Sequence, residues 1–191
     1  NIVAVGADLN DGNGLDAGHV RIYENIAGSW FQIGQDIDGE AAGDRFGHSV
    51  SLSSNGNIVA IGAVWNDGNG SNSGHARIYE NLGGYWSQIG QDIDGEFTAD
   101  GSGYAVSLSS DGSILAIAAP GNDENGNLSG HVRIYENTGG SWSQIGQDID
   151  GEAAFDESGK SISLSSNGLT VAIGAYFNDG NSSNSGHVRI Y

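Results

Sequence analysis

Carboxylates recur in this chain at a fixed spacing. Asp36-Ile37-Asp38-Gly39-Glu40 is followed by Asp44, and the pattern returns as Asp92, Asp94, Glu96 and Asp100 and again as Asp148, Asp150, Glu152 and Asp156. With Asp36 as position 1, the acids fall at 1, 3, 5 and 9, a spacing by which a tight loop can wrap several hard oxygens round one Ca2+ ion. The bland alternative is a strand end with Ile37 turned inward, its neighbouring acids solvated and Asp44 forming a turn. A second polar loop reads Asn66-Asp67-Gly68-Asn69-Gly70, with Asn10-Asp11, Asn122-Asp123 and Asn178-Asp179 at the same offset. Its oxygens could also coordinate Ca2+, but Asn, Asp and Gly are equally the residues that accept left-handed backbone and close turns with their own side chains.

Four Gly-His pairs, at His19, His75, His131 and His187, stand 56 residues apart. Histidines on successive repeats of a scaffold cannot converge on one ion at bond lengths of about 2 Å, so structural or rim positions are expected for them. Arg21, Arg77, Arg133 and Arg189 are four of the six basic residues, and each is expected to pair with a nearby carboxylate. Trp30, Trp86 and Trp142 also recur, with packing between repeats the expectation and sugar stacking the alternative. Trp65 and Phe177 differ, because they fall in loops where a large aromatic has less reason to be buried. With Asn66, Asp67, Asn69, Asn178 and Asp179 they make a candidate ligand-binding rim, at positions that diverge between repeats as Leu9, Trp65, Gly121 and Phe177. No catalytic arrangement emerges: the serines of SLSS have no neighbouring base, and each acidic cluster is copied in every repeat, whereas an active site is usually asymmetric. The chain is read as non-enzymatic.

The elements that carry these residues follow from the repeat. NIVAVGADLNDGNGLDAGHVRIYEN at 1–25 returns at 57–81 and 113–137, and a fourth copy runs over 169–191. Each period holds four short strands. Residues 45–54 alternate larger residues with serine (strand A), 57–63 form a nearly continuous apolar run (B), 75–81 are β-branched and aromatic at the centre (C), and 85–93 carry the Ser and Gln of an outer edge (D). No segment has helical periodicity. Four strands in a repeat longer than 40 residues predict an all-β chain of antiparallel, four-stranded β-propeller blades. The approximate blades are 1–44 (lacking the first strand), 45–100, 101–156 and 157–191 (lacking the last), fourteen strands in one array. Val59, Ile61, Leu115, Ile117, Val171 and Ile173 of the B strands are predicted to be nearly fully buried. Blade faces are apolar, so the chain is expected to be a fragment of a longer array or an oligomerising piece, forming a partial or oligomer-completed propeller.

Gly43-Asp44-Arg45-Phe46-Gly47-His48-Ser49-Val50, then Val59-Ala60-Ile61-Gly62-Ala63 and Gly74-His75-Ala76-Arg77-Ile78-Tyr79, resemble the FG-GAP repeat of integrin-α-like β-propellers. The namesake Phe-Gly is complete only at Phe46-Gly47, with Ser102-Gly103 and Ser158-Gly159 at the equivalent sites, and Ala-Pro stands only at Ala119-Pro120. The resemblance implies calcium binding through acids at the four spacings noted above, although the glycine here is at position 4 where the family has it at 6. Similar repeats occur in secreted proteins of marine Bacteroidetes, which implies a secreted or cell-surface location. An adhesive interaction module is expected, its partner a protein, a polysaccharide or other copies of itself; the alternative is a structural, self-assembling unit.

Composition closes several other routes. The chain has 24 acidic and 6 basic residues, a formal charge of -18, so it repels nucleic acid and anionic lipid. It has no cysteine, which excludes disulfides, thiolate metal sites and a cysteine nucleophile, and no apolar run long enough for a membrane helix.

Overall fold

Short apolar runs punctuated by Asn-Gly, Asp-Gly and Gly-Gly favour tight antiparallel meanders over helices. The computed structural model, which describes residues 1–191, accordingly contains strands and turns and no helix. The first sheet holds β1 (Ile2–Ala7), β2 (His19–Ile26), β3 (Ser29–Gln32) and β4 (Ile37–Asp38). The second holds β5 (Phe46–Leu52), β6 (Ile58–Ala63), β7 (His75–Asn81), β8 (Trp86–Gln88) and β9 (Ile93–Asp94). The third repeats this as β10 (Ala105–Leu108), β11 (Ile114–Ala119), β12 (His131–Thr138), β13 (Ser141–Gln144) and β14 (Ile149–Asp150). The fourth has β15 (Ser161–Leu164), β16 (Val171–Ala175) and β17 (His187–Ile190). Every pairing within these sheets is antiparallel, and the sheets together form part of a propeller.

Seventeen strand segments stand where the sequence predicted fourteen, because each outer strand breaks in two. In the second sheet Gln88 pairs with Tyr79 and Ile93 with Ala76, so five steps on the outer strand span three on β7. Gly90, at φ 74°, takes the left-handed conformation inside the break, and Gly34 and Gly146 do the same in their sheets. The break puts Asp92 in the excursion, where its carboxylate turns toward Arg77 on β7.

The core lies between sheets. Val20, Ile22 and Ile37 of the first sheet pack with Phe46, Val59, Ile61 and Trp86 of the second. Ile78 and Ile93 of the second pack with Leu108, Leu115, Ile117 and Trp142 of the third, and Ala116 and Val132 of the third with Val171 and Ile173 of the fourth. The six B-strand residues predicted to be buried all are, none more than 4% exposed. Innermost strands also tie directly to one another: the Leu108 amide donates to Ser51 Oγ and the Leu164 amide to Ser107 Oγ. Ser51 and Ser107, the first serines of their SLSS runs, are therefore hydrogen-bond acceptors between blades.

The FG glycine survives where the aromatic does not, and the backbone explains it. Gly47, Gly103 and Gly159 all have positive φ, and a Cβ on Gly103 would run into the carbonyl of His75. Gly62 of the preceding blade lies against Gly103 in turn, so two backbones meet with no side chain between them.

Candidate functional site

The acids at positions 1, 3, 5 and 9 do not meet at one point. Asp36 accepts from Arg21 Nε at 2.9 Å and Nη2 at 2.7 Å, and from Gln32 at 2.7 Å. This bidentate clamp, with the amide, holds the Asp36 carboxyl down at about 2. Asp38 is exposed at the edge pairing with His19, while Glu40 crosses to the next blade and pairs with Arg77. Asp44 is buried and faces elsewhere: it accepts from the Ala41 amide at 3.1 Å and from Asn66 Nδ2 at 3.0 Å.

The copies follow suit. Asp92 is clamped by Arg77, and its carboxyl stays low because the hydrogen bonds from Arg77 and Gln88 outweigh its desolvation. Glu152 reaches Arg189 of the fourth sheet at 2.9 Å, and Asp94 and Asp150 flank the histidines of their own sheets. Asp100 and Asp156 are buried like Asp44, holding the amides of Phe97 and Ala153 and the side chains of Asn122 and Asn178. The residues at the four spacings thus do not fit a single-loop calcium cage, which needs six to eight convergent oxygens. Arginines and asparagines have taken the carboxylates, because burying an unpaired carboxylate costs more than pairing it.

What the fold does assemble is a set of ionic clusters, one within the first blade and two between blades, and such acidic groups could hold a metal ion. His19, Asp36 and Asp38 form one, Glu40, His75 and Asp92 a second, and Glu96, Glu124, His131 and Asp148 a third. The arginines pair as the sequence predicted, each with a carboxylate of its own or the preceding blade. Burial and then the neighbouring arginine push His75 and His131 below the ordinary histidine value, so both are neutral near pH 7. Desolvation pushes Glu96 up, against the pull of Arg133.

The second predicted loop has a structural duty. Asn66, Asn122 and Asn178 are buried, and each amide donates to the buried Asp of the preceding blade while its oxygen caps the turn two residues on. Asn69 Nδ2 donates to the carbonyls of Gly95 and Glu96, and Asp67 and Asp179 accept from the amides of Asn72 and Asn184. Of the predicted rim, Asn66, Asn69 and Asn178 are therefore committed to closing loops.

Trp65 and Phe177 remain exposed, at 45% and 37%. The Arg45 guanidinium lies over the Trp65 ring at 3.6 Å, and Tyr176 packs beside Phe177. Trp65 borders a cavity of about 350 Å³ with Arg45, His48, Tyr104, Pro120 and Lys160, on the face where B strands end and A strands begin. Arg45 makes no ion pair, and its Nε is buried without a hydrogen-bond partner; Lys160 pairs with Glu157 at 2.8 Å and stands 4.3 Å over the Tyr104 ring. Sequence reading passed over Arg45, His48, Tyr104 and Lys160, although comparison of the repeats marks them: position 45 reads Arg45, Gly101, Glu157, and position 48 reads His48, Tyr104, Lys160.

Inter-sheet cores and glycine-to-backbone contacts between successive blades define a repeat protein of the propeller class. The family model described as FG-GAP repeat matches residues 37–79 and 149–191. No match is found among curated proteins. Among solved structures, the periplasmic gluconolactonase PpgL of Pseudomonas aeruginosa is similar at 16% identity and a TM-score of 0.57, over 94% of this chain and 48% of that one. A protein described as a 6-phosphogluconolactonase from Bacteroides uniformis is similar at 17% identity and 0.57, over 92% and 44%. KlAtg21, in complex with the coiled coil of AgAtg16, is similar at 13% identity and 0.58, over 93% and 47%. The chain spans less than half the length of each, and at these identities the likeness is one of fold alone. FG-GAP repeats are typical of extracellular proteins, and no helix here is long and apolar enough to cross a membrane.

Proposed function

We propose that this chain is a non-enzymatic recognition module of a secreted or cell-surface protein, and that it binds an acidic group of a protein or polysaccharide through the Trp65 face. One observation carries this reading: repeats that otherwise copy one another diverge around a single cavity, where Arg45 is unpaired beside Trp65, His48, Tyr104 and Lys160. The other four arginines and Lys160 are all ion-paired, which leaves Arg45 as the cation free to meet an incoming carboxylate or sulfate. Trp65 and Tyr104 supply flat apolar faces for a sugar ring or an aliphatic side chain. Calcium has a small part in this reading, supported only by the density of carboxylates at the blade edges.

The experiment is a binding screen against acidic and neutral oligosaccharides and extracellular-matrix proteins, repeated with Trp65→Gly and Arg45→Gly. Both substitutions install the residue that the third blade already carries at that position, so the fold is expected to survive. Saturable binding to an acidic ligand, weakened at least about tenfold by either change, is the expected result. Binding indifferent to both, or turnover of a sugar lactone, would overturn the reading.

Self-association is a second reading with its own observation. Val3, Val5, Val188 and Ile190 are exposed, whereas their counterparts Val59, Ile61, Val132 and Ile78 are buried. Light scattering across a dilution series should show mass falling with concentration; a constant 19.6 kDa monomer at every concentration removes this reading.

A further inference from the structure

We propose that the junction of the second and third blades is a binding site for a first-row divalent metal ion, held by Glu96, Glu124, His131 and Asp148, with Zn2+ preferred over Mn2+ and Ca2+ weakest.

The inference goes beyond the recognition face, which lies elsewhere. One departure from the repeat and two features of the ionic clusters coincide at this junction. At the position of Glu124 the other three repeats carry Gly12, Gly68 and Gly180, so one carboxylate has been added to one junction alone. A Cβ on Gly68 would stand 3.2 Å from Asp94 Oδ1, which shows that this loop position faces the acids of the adjoining strand. Arg133 leaves the arrangement of Arg21 and Arg77, as Arg189 also does by donating to the Asp150 carbonyl at 2.6 Å. Arg21 and Arg77 grip Asp36 and Asp92 with two hydrogen bonds each, whereas Arg133 donates through Nη2 to the Asp94 carbonyl at 2.7 Å, approaches Glu96 at 3.5 Å and releases Asp148. The Arg133 Nε is left buried without a partner.

The last feature is His131, which like His75 in the preceding blade is buried without a hydrogen-bond partner. Its side chain is 1% exposed and neither ring nitrogen has a hydrogen-bond partner, yet Nδ1 points into the cluster, 3.4 Å from Asp148 and 4.0 Å from Glu96. Buried polar groups are seldom left unpaired, and a ligand atom aimed among carboxylates is explained by an ion between them. All four donor atoms lie within 4.8 Å of one another, close to the spread of about 3.4 Å set by a tetrahedron of bonds near 2.1 Å. Three carboxylates and Arg133 sum to two negative charges, which a divalent cation neutralises. A cavity of about 470 Å³, lined by Glu96, Glu124 and Asp148, gives an ion and its remaining waters a way in.

Ligand chemistry selects the metal. Ca2+ takes oxygen ligands alone and six to eight of them, whereas one imidazole with three carboxylates suits Zn2+ or Mn2+, with Zn2+ ahead in the usual affinity order. The other two clusters lack a fourth donor, and the second has Arg77 bonded to both of its carboxylates.

The test is calorimetric titration of the EDTA-stripped chain with Zn2+, Mn2+ and Ca2+, with melting followed by circular dichroism. One Zn2+ per chain and a rise in melting temperature are expected. Glu124→Gly, which restores the residue of the other repeats and so should keep the fold, is expected to weaken Zn2+ at least about tenfold and abolish the rise. His131→Gln should do the same, judged only if its own spectrum shows native sheet. No saturable binding up to about 1 mM, three equivalent ions per chain, or an affinity unchanged by Glu124→Gly would each overturn the proposal.

Discussion

Trp86 and Trp142 donate from the indole to the carbonyls of Ile33 and Ile89 in the preceding blade, while Gln35 and Gln91 return a bond to each tryptophan's own carbonyl. Both indoles are nearly fully buried, whereas Trp30, the same residue in the first sheet, is 52% exposed. Trp86→Ala is therefore expected to lower stability by about 3–5 kcal/mol in urea denaturation, and Trp30→Ala by no more than about 0.5 kcal/mol. Equal losses would mean that inter-blade packing is not what the recurrent tryptophan supplies. The tryptophan and arginine roles were legible in the sequence from recurrence alone. The dispersal of Asp36, Asp38, Glu40 and Asp44 was not, because spacing along a chain says nothing about which arginine or asparagine a neighbouring blade brings up to each acid. Glu124 was visible as the one departure from Gly12, Gly68 and Gly180, but it acquires meaning only when the fold sets it beside His131.

At the scale of the strand, alternation and turn dipeptides sufficed to place the inner three strands of each sheet. They failed at the outer strand, which reads as one run and folds as two segments because Gly34, Gly90 and Gly146 adopt positive φ between them. Glycine also fixes how strands of adjacent blades approach. Gly103 combines φ 81° with a Cβ direction blocked by the His75 carbonyl, so Gly103→Ala requires both a strained backbone and a shift of β7. A loss of more than about 1 kcal/mol is expected from the shift in urea midpoint at unchanged slope. A neutral result would show that this crossing is looser than the structure describes.

For the whole molecule, acid sensitivity should come in two steps. His75 is buried against Arg77 and faced by Asp92, Glu40 and Asp94, and its folded value lies below the ordinary 6.5. The unfolded chain thus binds the proton first, and the stability present above pH 6.5 declines as pH falls below it. Asp36, lowered from 3.8 to about 2, adds a further loss as pH falls through that interval. Melting temperatures in EDTA should be level above pH 7 and fall from about 6.5 downward, and His75→Gln should shrink the upper step to the share of His131 while leaving the lower one. An upper step of the same size in the variant would locate the sensitivity elsewhere.

By itself the sequence determined the class of fold, the four-part repeat and the buried residues of the three later B strands, since these depend on local alternation, turn chemistry and a period that can be counted. Only the tertiary structure decided the rest. Val59 and Val3 are copies of one residue in one strand pattern, and one is fully buried and the other 38% exposed, because burial depends on whether another blade lies against that face. The same holds for the acids: their number and spacing belong to the chain, but their partners come from residues a full blade away. Local patterns carry no record of which of those residues will arrive.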